Sequence, residues 1–466
     1  MQTTLPATIG ELRKSGYQVH SVKEEMRKNL IAKIRSREEL FPGIVGYEQT
    51  VIPQVENAIL SGQDMILLGE RGQAKTRIAR SLINLLDAET PAIAGCEIND
   101  DPFNPICRAC KERVAADGDA VAIDWIPRDR RYGEKLATPD ITIADLIGEV
   151  DPIKVAEGRY LSDELTIHYG MVPRTNRGIF CINELPDLAE RIQVGLLNIM
   201  EERDVQIRGY KVRLPLDVYV VASANPEDYT NRGRIITPLK DRIGSEIRTH
   251  YPVSIENEVG IMRAESSQFT TAGYEVIVPK YMTEVLAELT HLARKSPDIS
   301  QRSGVSVRVS ICNYENVISN ALRRTIRLDE KQVVPRMTDL HAVFASTAGK
   351  IELETVGEVK EDRIVERLVQ GAVLAVFNRQ FAVAEFEDVI HAFATGSTFD
   401  AAEDRPSQQY VKQIESVRGL RAGVARLRAQ GSPAQIASAA EFILEGLHLN
   451  RKVNKDKGEG GTQYRG

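Results

Sequence analysis

Lys75 and Thr76 stand side by side in the run MILLGERGQAKTRIARSLINLL, six residues after Gly69. The run reads as an apolar strand, a glycine-containing turn, and a helix that turns Ile78, Leu82, Leu85 and Leu86 inward. Such a turn lets the backbone N–H groups of Gly69, Glu70, Arg71, Gly72, Gln73 and Ala74 converge on phosphate oxygens at the positive end of a helix. Lys75 then reaches the β- and γ-phosphates of a nucleoside triphosphate, and the Thr76 hydroxyl ligates Mg2+. The usual loop carries glycine where Ala74 stands. Alanine fits there if its φ is negative, or otherwise at a strain cost of about 1 kcal/mol.

A second apolar strand, GIFCINELPDL, ends in Asn183 and Glu184, at the carboxyl edge where open α/β sheets place ligands. An aspartate that helps hold Mg2+ normally occupies the first of these positions. Asn183 can accept a hydrogen bond from a metal-bound water but brings no charge, which leaves Glu184 as the base that activates water. A third strand, DVYVVASANP, leads to Ser223 and Asn225, polar groups able to orient that water or touch the γ-phosphate. Arg242 follows Asp241 at the end of a helix-like segment, and Arg308 opens a later helix. Guanidinium is planar, permanently charged and bidentate, so it suits a γ-phosphate.

These residues need a scaffold of short strands alternating with helices, and residues 41–252 supply that pattern: an α/β domain with a parallel sheet. Ahead of it, Ser21 and Glu24 have capping-box spacing and open an amphipathic helix over 21–38, with Leu30, Ile31 and Ile34 as its apolar residues. Helical periodicity dominates after Pro252, so residues 253–400 read as an α-helical lid. Residues 401–466 read as a helical extension ending in a mobile tail, because RKVNKDKGEGGTQYRG has no apolar period.

Bulk composition constrains the function. A chain of 466 residues, 42% apolar and 27% charged, is ordinary globular protein of more than one domain. Its net charge of −6 argues against a dedicated nucleic-acid binder. No stretch is long and apolar enough for a membrane helix, and the polar start lacks a signal-peptide core, so the expected location is cytoplasmic. The five cysteines, Cys96, Cys107, Cys110, Cys181 and Cys312, are expected to be reduced. Cys107 and Cys110 with Cys96 invite a zinc reading. A tetrahedral site needs a fourth ligand, however, and neither a second C-x-x-C nor a nearby histidine supplies one. The favoured reading is a surface insertion, with Cys181 and Cys312 as buried small hydrophobes. The run PRDRR, residues 127–131, reads as a solvated charge run.

Taken together, FPGIVGYEQ, GERGQAKT, LATPDITIADLIGEVDPIKV, GMVPRTNRGIFCINELPDL, SANPEDY and LKDRIGSEI resemble the AAA+ core of the magnesium-chelatase I subunit and the MoxR ATPases. The blocks occur in the family's order over residues 41–252. The resemblance implies ATP and Mg2+ at Lys75 and Thr76, with Asn183 beside the metal. It implies Glu184 as the base and Asn225 as first sensor, with Arg242 as a finger reaching a neighbouring subunit's nucleotide and Arg308 as second sensor in the lid. Ile44, Val45 and Tyr47 would lie by the adenine. A finger acting in trans implies a homo-oligomer, expected to be a hexameric ring. The segment from Leu161 to Arg177, and a hairpin turning at Gly209, are expected to contact substrate at the ring face.

The implied function is ATP-driven remodelling of a partner protein, typically one with a von Willebrand A domain. The alternatives are the motor subunit of a metal chelatase and an ATP-binding scaffold that hydrolyses weakly because of Asn183. Transcriptional activation through a specialised sigma factor ranks last, since the sequence has neither a GAFTGA-like loop nor an obvious helix-turn-helix.

Overall fold

Met65–Leu68, all four buried, form strand β1, which runs straight into the glycine turn. Four more strands join it: β2 (Tyr132–Leu136), β3 (Gly178–Asn183), β4 (Val218–Ala224) and β5 (Ser245–Arg248). All pair in parallel, in the spatial order β5-β1-β4-β3-β2. Every residue of β3 and β4 is buried, as expected of parallel strands covered on both faces. The computed structural model describes residues 5–151, 153, 156, 166–201, 204–206, 213–226, 233–267, 273–354, 361–429, 431–458 and 461–466.

Strand alternation sorts the sheet's side chains into two layers. Met65, Leu67, Ile179, Cys181, Tyr219 and Val221 share a core with Val22, Met26 and Leu30 of helix α1 (Val22–Ser36) and with Ile78 and Ala79 of helix α2 (Lys75–Ser81). Ile66, Leu68, Phe180, Ile182, Val220 and Ala222 share the other core. This second layer takes Cys107 and Cys110, at the start of α3 (Arg108–Asp117), Ile192 and Leu196 of α4 (Glu190–Glu201), and Leu239 of α5 (Thr237–Arg242).

The Ser21 and Glu24 capping box opens α1 as expected, but the buried face differs. Val22, Met26 and Leu30 turn inward, whereas Ile34 is 43% exposed. Glu25 is also buried, and it draws the last arginine of PRDRR out of solvent. Asp129 and Arg130 are exposed, but Arg131 is buried and its guanidinium donates to both Glu25 carboxylate oxygens, at 2.8 and 2.5 Å. Arg131 Nε donates to the Arg177 carbonyl at 2.8 Å. A carboxylate in α1 thus neutralises a cation at the foot of the sheet, where a solvated run was expected.

The chain divides into two compact units, Met1–His250 and Tyr251–Gly466. Helices dominate the second, including α6 (Arg308–Arg327) and α7 (Pro433–Leu449). Leu286, Val317, Phe377, Phe399, Phe442 and Tyr464 lie in one core, so residues on both sides of position 400 pack together. The tail, expected to lack regular structure, contributes two strands among its described residues. Asn454–Gly458 and Gly461–Arg465 form an antiparallel hairpin, and its second strand pairs with Phe399–Ala401. A glycine at the turn and one inward aromatic are enough. Gly461 has φ 140°, and Tyr464 is buried and donates to Glu445 Oε2 at 2.5 Å. Strands Asp204–Gln206 and Arg213–Pro215 pair antiparallel, as the expected hairpin requires, while Gly209 and residues 161–165 lie outside the described residues.

Candidate nucleotide site

The parallel order places the carboxyl ends of β1, β4 and β3 side by side, and those ends carry the glycine turn, Asn225 and the Asn183–Glu184 pair. Lys75 opens α2 and is 7% exposed. Its ammonium donates to the carbonyls of Gly69 and Glu70, at 2.6 and 2.9 Å, and to Asn225 Oδ1 at 2.7 Å. Asn225 Nδ2 in turn donates to Glu184 Oε2 at 2.7 Å. One amide therefore links the lysine of the loop to the candidate base.

The loop itself is held from both sides. A Cβ at Gly69 would lie 1.9 Å from Thr249 Oγ1 and 2.3 Å from Gln73 Oε1, so a larger residue there would push both side chains out of their contact. Gln73 Oε1 accepts from the Thr249 hydroxyl at 2.7 Å and from the Glu70 N–H at 3.1 Å. The Tyr47 hydroxyl lies 3.0 Å from the Gln73 carbonyl and 2.7 Å from that of His250. Burial pushes the Tyr47 pKa up to about 12, so it stays a donor. Ile44 is buried in the same core as Tyr47 and Ile78, and Val45 is half-buried. Gly72 has φ 78°, and Ala74 caps α2 at φ 55° and ψ 16°. Ala74 is therefore left-handed, the strained alternative of the two considered for it. Thr76 is half-buried on the first turn of α2 and Arg71 is exposed.

Beside the loop lies a cleft of about 380 Å³, lined by Gly69, Glu70, Gln73, Lys240, Arg248 and Thr249 among others. Its lining carries two cations, Lys240 and Arg248, and two acids, Glu70 and Glu246, the latter accepting from Arg248 at 3.3 Å.

Asn183 is buried, and its surroundings explain its type. Its Nδ2 donates to Glu134 Oε1 at 2.7 Å, and its Oδ1 accepts from the Ser223 hydroxyl at 3.2 Å. Glu134, on β2, is bound bidentately by Arg80 of α2 at 2.7 and 2.8 Å. Hydrogen bonding to Arg80 holds its carboxyl below the usual range. Glu134 was not anticipated. It becomes a neighbour of Asn183 only because β2 pairs with β3, and nothing local in RYGEKL signals that. Thr249, which braces Gln73 from the end of β5, was missed for the same reason.

Glu184 sits at φ 56° and ψ 47°, a left-handed corner fixed by its N–H bonding Ser223 Oγ at 3.2 Å. Lys75, Asn183, Glu184, Ser223 and Asn225 thus form one hydrogen-bonded group. The two arginines are not part of it in the same way. Arg242 ends α5 half-buried, with Nη1 donating to the Pro238 carbonyl at 2.8 Å. Arg308 is the exposed first residue of α6, in the second unit.

A five-stranded parallel sheet with a glycine turn after β1, an acid after β3 and an asparagine after β4 has the fold of an AAA+ P-loop core, here followed by a helical extension. The family model described as the Sigma-54 interaction domain matches residues 157–244. No curated protein matches the chain. Among solved structures, a candidate ATPase of Cytophaga hutchinsonii is 16% identical at a TM-score of 0.32, over 77% of this chain and 98% of that one. The complex of magnesium chelatase subunits BchI and BchD gives 18%, 0.35, 71% and 98%. NtrX of Brucella abortus in complex with ATP gives 14%, 0.37, 91% and 71%. At such identities and scores the class rests on the chain's own sheet order and site. Among the described residues no helix is long and apolar enough to cross a membrane.

Proposed function

We propose that the chain is a MoxR- and magnesium-chelatase-like AAA+ ATPase that couples ATP binding and hydrolysis in an oligomeric ring to the remodelling of a partner protein. The observation that carries the ATPase reading is the Lys75–Asn225–Glu184 chain of hydrogen bonds, which ties phosphate binding to the candidate base. ATP with Mg2+ supplies a phosphoryl group whose transfer to water is strongly favourable. The amides at the start of α2 and Lys75 would hold its phosphates, and the Thr76 hydroxyl with the Asn183 amide would face the metal. When Lys75 turns from Asn225 toward phosphate, Asn225 is freed to orient water against Glu184, which accepts the proton. Arg242 of one protomer would complete the neighbour's site, which makes the ring the working unit. Arg308 is proposed as the second sensor, and Ile44, Val45 and Tyr47 as the adenine side of the pocket.

A von Willebrand A domain protein is the partner class that the family resemblance favours. A Glu184→Gln chain, loaded with ATP and used as bait, tests this: specific enrichment of such a protein supports it, and enrichment of general chaperone clients alone counts against it. The scaffold reading also has an observation behind it, because Asn183 leaves the metal position without its usual charge. Its discriminating result is ATP binding with negligible turnover in the unmodified chain. The partial match to the Sigma-54 interaction domain favours a transcriptional role only within residues 157–244.

A further inference from the structure

Cys96, Asp100, Cys107 and Cys110 lie between strands Glu89–Ile93 and Ile123–Pro127, the first two in the loop and the last two at the start of α3, and the fold brings them to a single point. One ligand atom from each, three thiol sulfurs and a carboxylate oxygen, all lie within 4.8 Å of one another. A tetrahedron built on metal–sulfur bonds of about 2.3 Å has edges of roughly 3.8 Å, so small side-chain adjustments bring all four into contact with one ion. The fourth ligand that spacing alone could not supply is Asp100. Much of the insertion is exposed, as a surface insertion would be, but its ligand set is not: Cys107, Cys110 and Asp100 are buried, and Cys96 is half-buried.

Two further observations point to a cation. Asp100 is fully buried, and its Oδ1 has no hydrogen-bond partner among the described residues, although Oδ2 accepts from the Cys107 N–H at 3.0 Å. A buried carboxylate oxygen left unbonded is costly unless something positive meets it. Two backbone amides are also aimed at the sulfurs. The Cys110 N–H points at Cys107 Sγ and the Asp100 N–H at Cys96 Sγ, each at 3.4 Å. Amides aimed at sulfur stabilise negative charge there and orient metal-bound thiolates.

We propose that these four residues bind one divalent zinc ion in a closed structural site. Four protein ligands leave no open position, so the ion is not catalytic. Binding deprotonates the thiols, whose protons pass to solvent. The site braces the acid strand, because the loop it closes is bonded to the residues just before β3. Asn176 Nδ2 donates to the Ile98 carbonyl at 3.0 Å, and Asn99 Nδ2 to the Arg174 carbonyl at 3.1 Å.

Elemental analysis of the full chain, purified without chelator, should find about one zinc per chain. Cys107→Ser/Cys110→Ser should lose it, and Asp100→Cys, which keeps four ligands, should retain it. Replacing zinc with Co2+ in the unaltered chain should give intense visible bands of tetrahedral cobalt and a thiolate charge-transfer band, a readout that needs no variant to fold. A chain that carries no zinc and gives no thiolate–cobalt band overturns the proposal. So does zinc retained in full by the double serine variant.

Discussion

Ala74 and Asn183 depart from the expected P-loop pattern, and the structure accounts for them differently. Ala74 is left-handed at φ 55°, a conformation that costs a residue with a Cβ about 1 kcal/mol or more. Ala74→Gly should therefore raise stability by about 1 kcal/mol in urea unfolding, less what glycine returns in unfolded-state entropy. A clear loss would show that the loop has no strain to relieve. Asn183 has a positive reason to be neutral, because it donates to Glu134 at 2.7 Å. Asn183→Asp would set two carboxylates at that distance, so the nucleotide-free chain should lose about 1–3 kcal/mol and regain part of it with Mg2+ and ATP. Thermal unfolding with and without the ligand pair checks both halves. The Glu134 carboxyl is depressed by Arg80, so its stabilisation is present above the unfolded value of about 4.3 and is lost as pH falls through the lower folded value. Arg80→Met should flatten that acid-side loss, modestly, since the Arg80 side chain is 64% exposed.

At the scale of elements, helix α1 is more than an N-terminal appendage. Its Glu25 neutralises Arg131 in a buried pair, and removing one partner leaves the other charge uncompensated. Glu25→Gln should cost about 3–5 kcal/mol by chemical denaturation, whereas a cost below 1 kcal/mol would mean that water reaches Arg131. What could be read from the sequence follows the range of the forces involved. The capping box at Ser21, the glycine turn before α2 and the apolar runs of β1, β3 and β4 are local signals, and the structure has each where it was expected. Arg131 pairing with Glu25, Glu134 meeting Asn183 and Asp100 joining three cysteines depend on strand order and loop closure, which no local pattern encodes. The tail misled because a hairpin anchored by one tyrosine has too few apolar residues to show a period.

For the whole molecule, the proposed ring turns on Arg242. Arg242→Ala should leave ATP binding near that of the unaltered chain but lower hydrolysis by about a thousandfold, as loss of a finger does. Mass photometry should show ATP-dependent oligomers of the unaltered chain, and a persistent monomer that hydrolyses ATP would remove Arg242 from the neighbour's site. The central claim is that Lys75 and Glu184, joined through Asn225, form an ATP-hydrolysing site. Its most direct test is ATP binding and steady-state hydrolysis measured together on the unaltered chain and on Glu184→Gln. The account predicts that both bind ATP and that turnover falls at least about a hundredfold in the variant. Turnover that survives the substitution unchanged would contradict it.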